Sequence, residues 1–240
     1  MVGLGVRLNE VASLRRVDPK GEPDLIAAAK ICELAGADQI TVSLGDARGP
    51  LADHDVRLLG EVLRGGLGIE MPPTDDAMAV VGCLPCRSVC LVPEDPGHTT
   101  SGGGLDVVKH QTRLSDVADG LRELGVKVCL LVDAVPAQVD AAVAVQADRV
   151  RLNTRPYAMA DEREVGAEIE AFVTAAARAL REGLVFDAAG GLTARNLAPV
   201  AAIPGLNMVH VGHGLVARAL FVGLEAAVGE LLDALTTHAA

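Results

Sequence analysis

Residues 91–107, LVPEDPGHTTSGGGLDV, combine a carboxylate with a loop of hydrogen-bond donors. An apolar run ends at Glu94, a Thr/Ser/Gly segment that includes Thr100 follows, and the apolar pattern resumes at Leu105. This pattern predicts a strand that ends in a carboxylate, followed by a loop rich in hydroxyl and backbone N–H donors. Such a loop would suit an anionic ligand that approaches the end of a sheet.

Two glycine-containing segments near the carboxyl end of the chain predict a phosphate site. Gly212-His213 leads from an apolar strand directly into a helix, where free N–H groups and the positive end of the helix dipole would meet. The preceding strand ends in Gly190-Gly191, which would let a ligand approach the backbone closely. We favour phosphate binding over the alternative that these glycines only end their strands tightly. For His213, a ligand contact and a helix N-cap without a ligand are equally open.

A short apolar run followed by a longer amphipathic stretch recurs along the chain. We predict strands at residues 2–8, 38–44, 67–71, 88–92, 126–132, 149–153, 184–188 and 208–212, with helices between them and a last helix from about 215 to 235. Eight strand–helix pairs in 240 residues predict an α/β fold, a (β/α)8 TIM barrel, as a single domain over residues 1–240. A doubly wound open sheet is the alternative, although it would usually need fewer strands.

The barrel prediction also locates the chemistry, because TIM-barrel active sites lie at the C-terminal mouth, where strands end and βα loops begin. The residues that the predicted strands place there are Arg7, Asn9, Glu10, Ser43, Gly45, Glu70, Glu94, Thr100, Asp133, Arg151, Asn153, Asp187, Gly190 and His213. We interpret Glu94 and Asp133 as caps of the helices that follow them rather than as ligand contacts.

The composition excludes several classes of partner. Half of the residues are apolar but only four are aromatic, so we expect a core of Ala, Val and Leu packed in layers. The net charge is −11 and no basic cluster exceeds Arg15-Arg16, so nucleic acid is not an expected partner. No apolar run approaches the length of a membrane span and the N-terminus lacks a secretory pattern, so we expect no membrane association and a cytoplasmic location.

Cysteine spacing offers one metal or redox alternative. Cys83 and Cys86 form a C-x-x-C pair and Cys90 follows closely, but a zinc site would need a fourth ligand, for which His98 is only a distant candidate. We interpret the five cysteines mainly as small buried apolar residues, and we predict no metal site.

A series of segments runs through the chain in the order GVRLNEVASLR, AGADQITVSL, LGIEM, LVPE, GGLDV, GLTARN and VGHGLVARA. In this order they resemble segments of the pyridoxine 5'-phosphate synthase family. The resemblance implies a (β/α)8 barrel that assembles into a larger homo-oligomer. It implies condensation of 3-amino-2-oxopropyl phosphate with 1-deoxyxylulose 5-phosphate to build the pyridine ring of vitamin B6. It implies no metal and no organic cofactor, and small anionic metabolites as partners.

Carried over residue by residue, the resemblance implies that Glu70 is a general base and that Thr100, Gly212 and His213 contact phosphate. This chain departs from the family pattern at Arg7, Asn9, Glu10, Ser43, Gly45, Pro50, Arg151 and Gly190. Ser43 and Gly190 stand where the family has histidines that move protons, and neither titrates near neutral pH. Loss of one general acid or base typically costs on the order of 10²–10⁴ in rate, so efficient pyridoxine phosphate synthesis is not expected.

Two of the departures introduce arginines that the barrel would place near Glu70. An unpaired buried arginine is strongly disfavoured, so we expect that Arg7 or Arg151 pairs with Glu70 or Glu10, or that both bind an anionic ligand. A structural ion pair that fills the mouth of a former site is equally open. Asp187 adds a negative charge beside the predicted phosphate loop.

Three interpretations follow from the sequence. The first is a diverged homologue that binds or converts a small phosphorylated or carboxylated metabolite, with Glu70 as the base and Arg7 and Arg151 as anion-binding groups. The second is a non-catalytic homologue that serves as a ligand-binding or assembly protein. The third is an active pyridoxine 5'-phosphate synthase with a substituted site.

Overall fold

The computed structural model describes residues 1–15, 21–44, 51–94 and 102–236. Eight parallel strands form a closed barrel in sequence order, and the last strand pairs with the first. The strands are β1 (Gly3–Arg7), β2 (Gln39–Ser43), β3 (Leu67–Met71), β4 (Ser88–Leu91), β5 (Lys127–Asp133), β6 (Arg149–Asn153), β7 (Val185–Ala189) and β8 (Leu206–Val211). The predicted (β/α)8 TIM barrel is confirmed.

The helices alternate with the strands and surround them. They are α1 (Asn9–Leu14), α2 (Leu25–Leu34), α3 (Asp53–Val62), α4 (Asp75–Val81), α5 (Val107–Glu123), α6 (Pro136–Ala144), α7 (Arg155–Met159), α8 (Val165–Arg181), α9 (Leu197–Ala201), α10 (His213–Val222) and α11 (Leu224–Thr236). The prediction of one last helix was wrong, because Gly223 has a φ of 84° and separates α10 from α11. The apolar helical pattern continues on both sides of Gly223, so the sequence concealed the break.

The apolar core lies between the strands and the helices. Alternate strand residues point outward into this layer and are fully buried, such as Leu4 and Val6 of β1 and Val150 and Leu152 of β6. Most of its members are Val, Leu, Ala and Ile, in agreement with the sequence prediction, and Phe172 and Phe186 are its largest fully buried side chains. This layer holds the helices against the barrel and so fixes the positions of the βα loops.

The inside of the barrel is mainly polar, which the sequence interpretation did not foresee. Layers of branched apolar residues usually fill such barrels. Here the buried side chains of Thr41, Glu70, Arg151, Asp187 and His210 occupy that space. A small apolar cluster, made by Cys90, Cys129 and Leu131 with Val92 packed against it, lies beside them. Charged and hydrogen-bonding groups therefore line the barrel below its mouth.

Among the described residues, none of the helices combines the length and the apolar character that crossing a bilayer requires.

Candidate functional site

A cavity of about 480 Å³ opens at the C-terminal mouth of the barrel. It is bounded by the ends of β1, β3, β5, β6, β7 and β8 and by the loops that follow the last three. Its lining residues are Arg7, Glu70, Leu131, Arg151, Asn153, Arg155, Met159, Ala189, Gly190, Gly191, Leu192, Thr193, His210, Val211, Gly212, His213 and Gly214. A volume of this size fits a small metabolite.

Most of the predicted site residues meet in this cavity. Those that line it are Arg7, Glu70, Arg151, Gly190, Gly191, Gly212 and His213. Asn9 and Glu10 do not line it: Asn9 Oδ1 accepts a hydrogen bond from Ser43 N at 2.8 Å, and Glu10 pairs with Arg7. Their roles as ligand contacts stay predictions. Thr100, together with Gly45, Pro50 and His98, lies outside the described residues.

The carboxylate of Glu70 lies between two arginines on the floor of the cavity. Arg151 Nη1 donates to Glu70 Oε1 at 2.5 Å, and Arg7 Nη1 lies 3.6 Å from Glu70 Oε2. Ser43 Oγ donates to Glu70 Oε2 at 3.0 Å. Arg7 Nη2 also donates to Glu10 Oε1 at 2.7 Å. The first of the two alternatives, that at least one of the arginines pairs with Glu70 or Glu10, is therefore confirmed.

These contacts keep Glu70 ionised. Burial alone would raise the pKa of Glu70, but the charges of Arg7 and Arg151 and the hydrogen bond from Ser43 lower it overall. Burial would likewise lower the pKa of the Arg151 guanidinium, but the charge of Glu70 contributes to a net increase. A carboxylate with a lowered pKa is a weak proton acceptor while both arginines remain in place. The role of Glu70 as a general base stays a prediction.

The loops after β7 and β8 form one corner of the cavity. Gly190 and Gly191 have positive φ angles of 121° and 69°, a conformation that residues with a side chain rarely adopt. A Cβ atom on Gly190 would lie 2.6 Å from Asn153 Oδ1, and one on Gly212 would lie 2.8 Å from Arg7 Nε. The backbone at Gly190 and Gly212 therefore lies closer to its neighbours and to the cavity than it could if either residue had a side chain.

The amino end of α10 belongs to the same corner. Gly212 is the N-cap residue and His213 begins the ten-residue helix, so His213 is not the cap itself. Gly212, His213 and Gly214 all line the cavity, which places the backbone N–H groups at the start of α10 at its edge. An anion in this corner would meet these N–H groups and the positive end of the helix dipole.

Asp187 lies below the cavity, and its charge is compensated by the groups around it. Arg149 Nη1 lies 3.2 Å from Asp187 Oδ2, and Asn207 Nδ2 donates to Asp187 Oδ1 at 2.7 Å. Burial would raise the pKa of Asp187, but the interactions with His210, Arg151 and Asn207 lower it. The negative charge that Asp187 adds beside the predicted phosphate loop is therefore compensated, because its carboxylate faces Arg149 and the Asn207 amide.

His210 was not singled out from the sequence, although it lines the cavity and is 5 % exposed. It lies on β8 beside Gly5 of β1, and a Cβ on Gly5 would come within 2.3 Å of His210 Nδ1. In a strand, every second side chain points to the same face, so counting back two residues from Gly212 could have identified His210 as inward-facing.

Asn153 was identified from the sequence, and its side-chain amide donates to Asp133 Oδ1 at 2.8 Å.

The capping roles predicted for Glu94 and Asp133 were wrong. The helix after β4 is capped by Asp106, and the helix after β5 begins after Val135 without a side-chain cap. Asp133 instead accepts from the backbone N–H of Gly104 at 2.9 Å, which attaches the segment before α5 to the end of β5.

The cysteines show no metal arrangement in the part of the chain that is described. Cys83 is exposed, Cys86 is partly buried, and Cys32, Cys90 and Cys129 are buried free thiols. Within residues 1–15, 21–44, 51–94 and 102–236, no group of three or more His, Cys, Asp or Glu side chains could hold a metal ion.

Comparison with known proteins identifies relatives over the whole chain. Residues 4–237 match the family model described as pyridoxal phosphate biosynthesis protein PdxJ. A protein of Nostoc punctiforme named pyridoxine 5'-phosphate synthase is 39% identical over 241 residues, which is 100% of both chains. A protein of the same name from a Synechococcus strain is 42% identical over 238 residues, covering 98% of this chain and 99% of its own.

Solved structures share the fold at low sequence identity. Phosphoribosyl anthranilate isomerase from Thermus thermophilus superposes with a TM-score of 0.63 at 16% identity, covering 98% of this chain and 99% of its own. The isomerase from Pyrococcus furiosus gives a TM-score of 0.63 at 15% identity, covering 99% of this chain and 100% of its own. Similarity at this level shows the barrel fold alone.

Proposed function

Because the chain belongs to the PdxJ family of pyridoxal phosphate biosynthesis proteins, we propose that it binds a small phosphorylated metabolite at the C-terminal mouth of its barrel. The observation that carries this proposal is the corner where Gly190-Gly191 and Gly212-His213 meet. The phosphate would occupy this corner, against the first turn of α10. The remainder of the metabolite would extend over Arg151 and Glu70.

We further propose that the condensation suggested by the names of the relatives is weak or absent in this chain. Ser43 and Gly190 cannot move protons near neutral pH, and the contacts with Arg7 and Arg151 make Glu70 a poor base. The two arginines would instead help to bind or orient an anionic or hydroxylated group of the ligand. Assembly into a homo-oligomer and a cytoplasmic location remain predictions.

Pyridoxine 5'-phosphate synthesis itself is the second candidate function. Identities of 39–42% along almost the entire chain to proteins with that name favour it. It would require either that Glu70 leaves its arginines during the reaction or that another group moves the protons.

A non-catalytic ligand-binding role is the third candidate, and a compensated charge cluster on the cavity floor favours it.

Phosphate binding can be tested by calorimetric titration with inorganic phosphate and with pyridoxine 5'-phosphate. We expect both to bind and His213→Ala to weaken both by about tenfold, equivalent to about 1.4 kcal/mol. His54→Ala is the matched control, since His54 is an exposed histidine on α3 outside the cavity lining. Equal affinities in the wild type and in His213→Ala would contradict the proposed phosphate corner.

The synthase activity can be tested by complementation of a pyridoxine auxotroph. The Nostoc punctiforme relative, expressed from the same vector, is the positive control, and immunoblotting confirms that both proteins are present. We expect growth without added vitamin for the relative and not for this chain. Growth with this chain at a comparable rate would establish the second candidate and overturn the proposed loss of condensation.

A further inference from the structure

On the cavity floor, the charges of the arginines that would contact an anionic ligand are already offset by carboxylates. Arg7 and Arg151 already contact Glu10 and Glu70, and Arg149 faces Asp187. An anion that enters the cavity would therefore add negative charge to a set of charges that is already balanced. Buried charge without compensation is strongly unfavourable, so binding is favoured if a neutral group near the floor takes up a proton.

His210 has the position and chemistry for this uptake. Its imidazole lies inside the barrel on β8, lines the cavity and is 5 % exposed. Its Nε2 lies 3.6 Å from Asp187 Oδ2, and among the described residues neither ring nitrogen has a hydrogen-bond partner. Buried polar atoms without partners are uncommon and costly, and they often mark groups whose partner arrives with function.

The backbone around His210 is adapted to the ring. Gly5 of β1 is paired in register with His210, and a Cβ at Gly5 would overlap the ring at 2.3 Å from Nδ1. An alanine at this position would exclude the imidazole from its present place. The imidazole is thus fitted against β1 on one side and lies near Asp187 of β7 on the other.

We propose that His210 is a ligand-linked proton acceptor of this site, which becomes an imidazolium when an anionic ligand occupies the cavity. Its new charge would be stabilised by Asp187 at 3.6 Å and would add to the charges of Arg7 and Arg151, which Glu10 and Glu70 already offset. This inference rests on the proposed function, because it requires an anion to bind at the mouth. It assigns His210 as a binding residue and makes no claim about a reaction.

The charged groups that face His210 determine the direction of its titration. They are Asp187 on β7, Arg151 on β6 and Glu70 on β3, with Arg7 two residues beyond Gly5 on β1. Burial lowers the pKa of His210 and the charge of Arg151 lowers it further, whereas Asp187 and Glu70 oppose this shift. The ring is therefore neutral at neutral pH in these surroundings, and a bound anion would raise its pKa. Affinity should increase as the pH falls.

Calorimetric titration with sulfate tests this inference, because sulfate resembles a phosphate dianion but does not itself titrate near neutral pH. Titrations at pH 7 in two buffers with different ionisation enthalpies measure the protons taken up on binding. We expect uptake of up to one proton, with an affinity gain of about three- to tenfold per pH unit from about pH 8 to 6. His210→Asn should abolish the uptake.

His213→Asn is the matched control, since His213 also lines the cavity. It should weaken sulfate binding while the proton uptake persists. Uptake that disappears in His213→Asn but survives in His210→Asn would overturn the inference, as would sulfate binding without proton uptake in the wild type. If sulfate does not bind to the wild type at all, the proposed function fails and this inference fails with it.

A direct measurement on the wild type avoids dependence on the stability of His210→Asn. The ring signals of the six histidines can be followed by NMR over pH with and without sulfate, and His210 can be assigned by substituting the others. We expect sulfate to raise the pKa of His210. An unchanged pKa at saturating sulfate would overturn the inference even if the His210 variant does not fold.

Discussion

At the scale of single residues, the cavity floor is dominated by the interaction of Glu70 with Arg7 and Arg151. The shortest contact, between Arg151 Nη1 and Glu70 Oε1, is 2.5 Å, and both side chains are at least nine-tenths buried. Buried pairs of this kind contribute little relative to apolar residues, but removal of one partner is costly because it leaves an uncompensated charge. Glu70 and Arg151 should therefore behave as a unit.

A double-mutant cycle on Glu70 and Arg151 tests this coupling. We expect Arg151→Met to lower the free energy of unfolding by about 3–5 kcal/mol and the combination with Glu70→Gln to cost clearly less than the sum of the single changes. Urea denaturation measures all three variants. Arg113→Met is the control, because the Arg113–Asp75 pair is exposed and should change stability by less than about 1 kcal/mol. Strict additivity would refute the coupling.

The interior ionisable groups also predict how stability depends on pH. Glu70, Asp187 and His210 all have lowered pKa values in the folded state. Above its unfolded pKa, each group therefore contributes to the stability of the folded state. This contribution is lost as the pH falls from the unfolded pKa towards the folded pKa. For His210 the loss begins near its unfolded pKa of about 6.5, and for the carboxylates near about 4.

His210→Asn should remove only the first of these losses. Between about pH 7 and 5 we expect the unfolding free energy of the wild type to fall more steeply than that of His210→Asn, while both fall together below about pH 4. Urea denaturation at a series of pH values, without added anions, provides the measurement. Parallel curves across the upper range would show that His210 does not have a lowered pKa.

At the scale of elements, the glycines of the βα loops determine how closely α10 and the end of β6 approach the cavity. Gly190 has a φ of 121°, and a Cβ there would meet Asn153 Oδ1 at 2.6 Å and Arg155 N at 2.9 Å. Because one of these atoms belongs to the backbone, the clash cannot be relieved by a change of rotamer alone. The geometry of the loop after β7 therefore depends on this residue.

Gly190→Ala should disturb the loop and weaken anion binding. We expect a loss of about 1–3 kcal/mol in the free energy of unfolding and at least tenfold weaker binding of inorganic phosphate. Gly229→Ala in α11 is the matched control, since nothing lies within 4 Å of its added Cβ. That change should stabilise the protein by about 0.5–1 kcal/mol and leave phosphate affinity unchanged. Unaltered affinity in Gly190→Ala would separate the loop from ligand binding.

At the scale of the whole molecule, the outer surface carries apolar side chains that the described part of the chain leaves exposed. Leu220 and Phe221, adjacent on α10, are 71% and 83% exposed. Exposed apolar side chains that lie together often mark protein–protein interfaces. The homo-oligomer stays a prediction, and we propose that a second copy of the chain would bury both residues.

Phe221→Asp tests this assembly. We expect the wild type to elute in light-scattering chromatography at a multiple of 24.7 kDa and Phe221→Asp to shift towards the mass of one chain. The fold of the single chain should be retained, because Phe221 is exposed in it and contributes little to its core. Leu34→Asp, an equally exposed position on α2, is the control and should not change the mass. A wild type of 24.7 kDa would contradict the predicted oligomer.

The sequence by itself determined the number and order of the strands, although it concealed the break between α10 and α11. The alternation of short apolar runs with amphipathic stretches is local, so eight strands and the loops after β7 and β8 could be identified without coordinates. The motifs from GVRLNEVASLR to VGHGLVARA also identified the family, because their order is a property of the chain alone.

Only the tertiary structure decided which polar groups meet inside the barrel. Arg151 and Glu70 are 81 residues apart, and the fit of His210 against Gly5 depends on the register between the first and last strands. Closure of the sheet brings these positions together, and the pKa of each group then follows from burial and from the charges around it. Such contacts depend on distance in space, which local sequence patterns do not encode.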